Sequence, residues 1–139
     1  MQQAVQPNPL IRTELIEVLI NNAAASEFIL GQLPTLRDAA RILQIEAFHN
    51  GQITNAPTGR PVVATATFQK ASLKLISIDQ VEYRHVALTS ISKSVNGTVI
   101  PMLNVPQIDP EKSKIFVGDT TGVTVNQVFL FEITYEKRK

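Results

Sequence analysis

Two histidines supply the imidazole chemistry this chain can offer. His49 closes the run "RILQIEAFHNG" beside Asn50, and His85 lies within "VEYRHVAL". Neither sits in a His-x-His or His-Glu-x-x-His spacing, the patterns that aim two rings at one metal ion. His49 reads as a partly exposed loop residue. His85 projects with Val81, Tyr83 and Ala87 on an alternating strand, which favours a packed, hydrogen-bonded ring over a proton carrier. The acidic residues, 12 in all, are scattered. A glycosidase needs two carboxyls facing each other across a cleft, and no pair is singled out. "GDTTG", residues 118–122, lacks the lysine and glycine spacing of a phosphate loop and precedes a strand, so it reads as a tight turn. Asp109-Pro110-Glu111-Lys112 is a second turn with solvated charges. Asn96-Gly97-Thr98 matches a glycosylation sequon, but a tight hairpin without a secretory signal makes the match incidental. With no cysteine, disulfides, thiolate metal sites and cysteine nucleophiles are excluded together. The expectation is a protein without catalytic residues, metal or cofactor.

Charge narrows the partners. Thirteen basic against 12 acidic residues give a net charge of +1, which does not suit a general nucleic-acid binder with a clustered positive face. The tail Lys137, Arg138 and Lys139 is the one basic run, suited to weak, salt-sensitive contact with phosphate of nucleic acid or lipid headgroups. At the other end, "MQQAVQPNP" reads as an extended arm over residues 1–9. Gln2 and Gln3 offer hydrogen bonds, Val5 one apolar anchor, and Pro7 limits the entropy lost on ordering. Without lysine or arginine, the arm suits protein rather than genome. No secretory signal and no run of roughly 18 apolar residues is visible, so synthesis in a cytoplasm is expected, with no transmembrane segment.

Between arm and tail, residues 10–136 read as one β domain. A hydrophobic share of 44% with 18% charged residues is ordinary for a globular chain. In "IRTELIEVLI", Ile16, Val18 and Ile20 share one strand face, with Leu15 and Leu19 on the other. "NNAAAS" connects to a short strand in "EFILGQLP". A turn over 35–40 leads to a strand over 41–48, with Leu43, Ile45 and Ala47 on one face and Ile42 and Phe48 on the other. "VVATATF", "LKLISI" and "VEYRHVALTSIS" continue the β pattern, with a turn near Asp79-Gln80. Asn96-Gly97 reads as a two-residue hairpin turn. Pro101 and Pro106 confine their segment to an edge or loop. "KIFVGD" precedes a long strand in "VTVNQVFLFEITYE", where Val123, Val125, Phe129, Phe131, Ile133 and Tyr135 point one way. About eight strands separated by turns imply an all-β fold, an antiparallel β-sandwich of jelly-roll type with a short N-terminal arm; an up-and-down barrel is the other arrangement they allow.

Two segments carry a resemblance. "FILGQLPTLRDAARILQIEAF" and "KIFVGDTTGVTVNQVFLFEITYE" resemble the opening and closing strands of small jelly-roll capsid proteins of bacteriophages, including tail-less phages of Bacteroidetes. The shared features are a Leu33-Pro34, Leu36-Arg37 turn leading into Ile42, Ile45 and Glu46, and a final strand with Phe129, Phe131 and Tyr135. The chain departs from that pattern by the additional Ala39-Ala40 in the turn. The resemblance implies a non-enzymatic virion protein that assembles with itself and with other virion proteins: a capsid, penton or minor capsid subunit made in the host cytoplasm. Two other readings stand beside it. One is a β-sandwich module binding carbohydrate or protein through loops 50–61 and 104–112; the other is a small hydrolase with dispersed carboxylates.

Overall fold

The computed structural model describes residues 10–30, 36, 39–93, 100 and 102–137. Among the described residues eight strands are formed: β1 (Ile11–Leu19), β2 (Glu27–Ile29), β3 (Ala39–Phe48), β4 (Ala71–Ile76), β5 (Glu82–Ala87), β6 (Val105–Pro106), β7 (Lys114–Val117) and β8 (Val128–Lys137). They make two four-stranded sheets, ordered β1-β8-β3-β6 and β2-β7-β4-β5. Every ladder in them is antiparallel. The protein is therefore an all-β sandwich. Its pairing has a simple rule: β1 bonds β8, β2 bonds β7, β3 bonds β6 and β4 bonds β5. The first four strands thus form one limb of a ribbon and the last four the other.

Side-chain alternation explains which faces meet. In β4, Ala71, Leu73 and Leu75 are buried while Ser72, Lys74 and Ile76 face outward. In β7, Ile115 and Val117 are buried and Lys114 and Phe116 half-buried. Phe129, Phe131, Ile133 and Tyr135 of β8 join Ile16 and Val18 of β1 in the core between the sheets. Phe28 of β2 meets Phe129 across it, with ring centroids 5.6 Å apart and planes tilted by 52°. Burying side chains of this size stabilises the fold by about 1.5–3 kcal/mol each.

Three expectations need correction. First, β3 starts at Ala39, not at residue 41, and it does not alternate strictly. Its register against β8 shifts between Ala39 and Arg41 and again between Ile42 and Gln44. Each shift is a bulge that sets two residues against one. The second bulge, at Leu43, restores Ile42 to the core side, so Ile42 opposes Tyr135 and Ile45 opposes Ile133. Ile42, Ile45 and Ala47 are buried together, and Leu43 is only partly covered.

Second, "VVATATF" is not a strand. Val62 and Val63 are consecutive buried residues, tied to the start of β8 by Val63 N–H to Val128 O (3.0 Å) and Val128 N–H to Pro61 O (2.9 Å). Residues Thr65–Gln69 then form a one-turn helix, α1, burying Thr67 and Phe68. Alternating Ala and Thr present little hydrophobic contrast, so the apparent period of two carried no face preference. The need to turn Phe68 into the core before β4 decides the conformation. Similarly, "VEYRHVALTSIS" is a strand only to Ala87; Leu88–Ile91 form a 3₁₀ turn whose Leu88 and Ile91 are buried.

Third, β8 begins at Val128. Gly122 and Asn126 adopt positive φ of 81° and 71°, a conformation that glycine and asparagine accept most readily. These turns leave Val125 44% exposed instead of lining the core. Pro106 stands on the edge strand β6, as its missing N–H requires. The turn at Asp79-Gln80 is present, with Gln80 at φ 65°. The hairpin expected at Asn96-Gly97 lies outside the described residues, as does Pro101.

Candidate functional site

Leu10 and Lys137, the first and last of the described residues, meet at one end of the first sheet. The backbone N–H of Lys137 donates to the carbonyl of Leu10 at 2.6 Å. Of the expected contact residues, Lys137 is exposed at the end of β8. Gln2, Gln3, Val5 and Pro7 of the arm, and Arg138 and Lys139 of the tail, lie outside the described residues.

The strand next to this junction, β1, is the rim of its sheet. Its first five residues are exposed on both faces, with Ile11 at 40% and Leu15 at 45%. The carbonyl of Leu10 and both backbone groups of Ile20 (N–H to Gln127 O, 2.9 Å; O from Asn126 N–H, 3.0 Å) aim at the β8 side. Backbone groups alternate along an antiparallel strand. Even positions of β1 thus serve β8, and Ile11, Thr13, Leu15, Glu17 and Leu19 present theirs to the rim. A nine-residue rim strand is a ready template for a further strand. Sequence patterning identified the strand but could not reveal its place, because edge position is set by partners more than a hundred residues away.

His49 is half-buried and sits in a polar knot. Its Nδ1 accepts from Gly51 N–H (3.1 Å) and lies 2.9 Å from Thr65 Oγ1, which is also 3.1 Å from Asn50 Oδ1. Since Nδ1 accepts a backbone proton, the neutral ring carries its own on Nε2. The single Thr65 hydroxyl proton serves two acceptors. The ring leans on Phe68 at 5.0 Å, so the knot pins loop 50–61 to α1. A Cβ at position 51 would stand 2.7 Å from His49 Cε1.

His85 is hydrogen-bonded and packed against a neighbouring ring, but on an exposed face. Its Nε2 lies 2.9 Å from Ser72 Oγ, and its ring is 5.8 Å from that of Phe116. A serine beside an imidazole is the start of a nucleophile–base pair. Here the pair lies on the open outer face of the second sheet, and among the described residues no acceptor orients the other ring nitrogen, as such a base requires.

Four of the carboxylates are held in ion pairs: Lys70–Asp119 (3.6 Å), Lys74–Glu82 (3.1 Å), Lys93–Glu46 (3.5 Å) and Lys114–Glu27 (3.5 Å). Glu46 and Glu132 stand directly opposite on β3 and β8, the nearest the described residues come to a facing acid pair. Glu46, only 8% exposed, is held by Lys93, and the two acids lie side by side on one sheet face, not across a cleft. The 118–122 segment is a turn: Asp119 Oδ1 accepts from Thr121 N–H at 2.9 Å. That bond, the Thr121 side chain and Lys70 hold the Asp119 carboxyl below its usual pKa. Asp109 makes the same kind of turn by accepting from Glu111 N–H at 3.0 Å. Among the described residues no group of three or more His, Cys, Asp or Glu is placed to hold a metal.

One pocket of about 320 Å³ opens between the β4–β5 turn and β6, lined by Ser77, Ile78, Asp79, Val81, Pro106 and Gln107. Ile78 and Val81 are 52% and 57% exposed there. The sequence had marked 104–112 as a loop, but nothing in it joined that loop to residues 77–81. No family model, curated protein or solved structure matches this chain. No helix among the described residues is long and apolar enough to cross a membrane.

Proposed function

We propose that this protein is a structural subunit of a bacteriophage virion, a capsid, penton or minor capsid component that acts by self-assembly and has no catalytic activity. The observation that carries the reading is the pairing of the eight strands, first with last and so inward to β4 with β5. Rolling such a ribbon into two facing sheets produces the jelly roll, an architecture used by viral capsid and lectin domains. Supporting it are the long rim strand β1 and the meeting of Leu10 with Lys137 at one end of the sheet. On this reading residues 1–9 grip an adjacent subunit, and Lys137, Arg138 and Lys139 face phosphate of genome or lipid.

A second reading, a binding module for carbohydrate or protein, is favoured by the pocket at Ile78, Val81 and Pro106, because part of its wall belongs to loop 104–112. Sedimenting particles from lysates of the producing cells and quantifying this chain by mass spectrometry decides between them. Recovery at a fixed stoichiometry in the particle fraction supports the virion reading. Recovery in the soluble fraction alone rejects it.

A further inference from the structure

The rim of β1 is self-complementary. On the outer face of the first sheet it carries Ile11, Thr13 and Leu15, and on the other face Arg12 and Glu14, all exposed. Because only odd positions offer N–H and C=O groups to the rim, a second strand must set odd residues against odd ones. A two-fold arrangement of two antiparallel β1 strands then has few registers. Centred on Arg12 or on Glu14, it faces like charges directly, which is unfavourable. Centred on Leu15, it sets Arg12 against Val18 and Glu14 against Ile16, charges against the core side of the strand. Centred on Thr13, every pair matches: Ile11 meets Leu15 of the second copy, Arg12 meets Glu14, and Thr13 meets its own equivalent.

We propose that two copies of this chain join through β1 in that register, fusing two four-stranded sheets into one of eight. The pairing rests on the self-assembly reading for its purpose but not for its chemistry. Three odd pairs, 11 with 15, 13 with 13 and 15 with 11, each exchange two backbone hydrogen bonds. The contact is isologous, as two-fold interfaces are, so Arg12 and Glu14 occur twice in it. The sequence also sets its length. The next odd residue, Glu17, would face Pro9, which has no N–H to give, and Pro7 would face Leu19. Glu17 is in addition engaged by the Thr58 hydroxyl of its own loop. The ladder stops after five residues, which favours a closed pair over an open-ended sheet.

The chain contains no cysteine, which makes the register directly readable. In a hydrogen-bonded antiparallel pair, opposed Cα atoms lie about 5.5 Å apart, inside the range a disulfide spans. Full-length Thr13→Cys under mild oxidation is expected to cross-link into a dimer on non-reducing electrophoresis. Thr134→Cys, one strand further in on the same face and 3.2 Å from the Thr13 hydroxyl in the parent chain, is expected to stay monomeric on the gel. In sedimentation velocity, Arg12→Glu should weaken dimerisation on the order of tenfold, since two cross-strand pairs turn from attraction to repulsion. Adding Glu14→Arg should restore it.

Cross-linking of Thr13→Cys no faster than Thr134→Cys overturns the register. So does a double variant that dimerises no better than Arg12→Glu, or a parent chain that is monomeric at every concentration. An oligomer indifferent to these changes moves self-association to another surface and leaves the virion reading intact. A β1 dimer from a protein absent from particles does the reverse.

Discussion

Ser113 is fully buried and holds three segments together at the end of the sandwich that bears the pocket. Its carbonyl accepts from Leu30 N–H at 3.0 Å and its own N–H donates to Asp109 O at 2.9 Å. Its hydroxyl accepts from Ile76 N–H at 3.0 Å. That last bond replaces a missing rung, because the β4–β7 ladder ends at Lys74 and the β4–β5 register slips between Leu75 and Ile76. Ser113→Ala removes one oxygen and leaves no sizeable cavity, so its cost is that of a stranded donor, about 1–3 kcal/mol. Ile76 is half-buried, and water reaching its amide favours the lower part of that range, about 1–2 kcal/mol. An unfolding entropy of roughly 2.1 cal/mol/K per residue gives this chain about 0.29 kcal/mol/K, so the variant should melt about 3–7 °C below the parent. Ser90→Ala is the control, since the exposed Ser90 hydroxyl donates to Ala87 O at 2.7 Å in reach of solvent; its loss should cost under about 0.5 kcal/mol. Differential scanning calorimetry of both variants measures the contrast. A Ser113→Ala protein melting within about 1 °C of the parent, or no lower than Ser90→Ala, refutes the idea that the hydroxyl replaces a ladder bond.

Other outcomes follow from the same geometry. The bulge at Leu43 predicts that Ile42→Ala destabilises by about 2–4 kcal/mol and Leu43→Ala by clearly less; urea denaturation showing the reverse order would restore strict alternation in β3. Gly51→Ala and Thr65→Val both loosen the His49 knot, each by about 1 kcal/mol, and the double variant should lose less than the sum of the two because they break one network. Asp119 has a depressed pKa in the folded protein, so its contribution to stability is complete above the ordinary aspartate pKa and is lost as pH falls through the lower folded value. An NMR titration of the Asp119 carboxyl with a midpoint at or above the ordinary value contradicts this. Deleting residues 1–9 should abolish or weaken particle assembly with little change in melting temperature, as no residue of the described core is removed; normal assembly of the truncated chain removes the arm from the mechanism.

Legibility from sequence followed physical contrast. β4 was readable because large aliphatic residues alternate there with charged or polar ones, as in Ser72, Leu73, Lys74 and Leu75. "VVATATF" misled because Ala and Thr are accepted on either side of a sheet or in a helical turn. The bulges of β3 left no local mark: Ala40 and Leu43 become the extra residues only because β8 runs past them without matching insertions. His85 was expected to be packed and hydrogen-bonded on its strand; the ring does lie against Ser72 and Phe116, but on an exposed face, and Val81 belongs to the turn. The two turns built on Asp109 and Asp119 were legible because an aspartate can close its own turn. The rim of β1, the Ser113 hub and the pocket at Ile78 all depend on distant segments, so no window of sequence contains them.

The first-with-last pairing of the ribbon also sets a timetable. β8 is synthesised last, yet it lies between β1 and β3 and supplies the long ladders of both. Thr13 and Thr134, which touch in the finished sheet, are 121 residues apart along the chain. Closing a loop of that size carries a larger entropic cost than closing the short turn between β4 and β5, so that central hairpin is the least costly place for pairing to begin. Until β8 has been made, β1 and β3 have no strand between them, and the first sheet is incomplete. The rim on which a second copy would settle is held in its sheet by β8. A growing chain that has not yet made β8 consequently has no completed first sheet to offer a second copy.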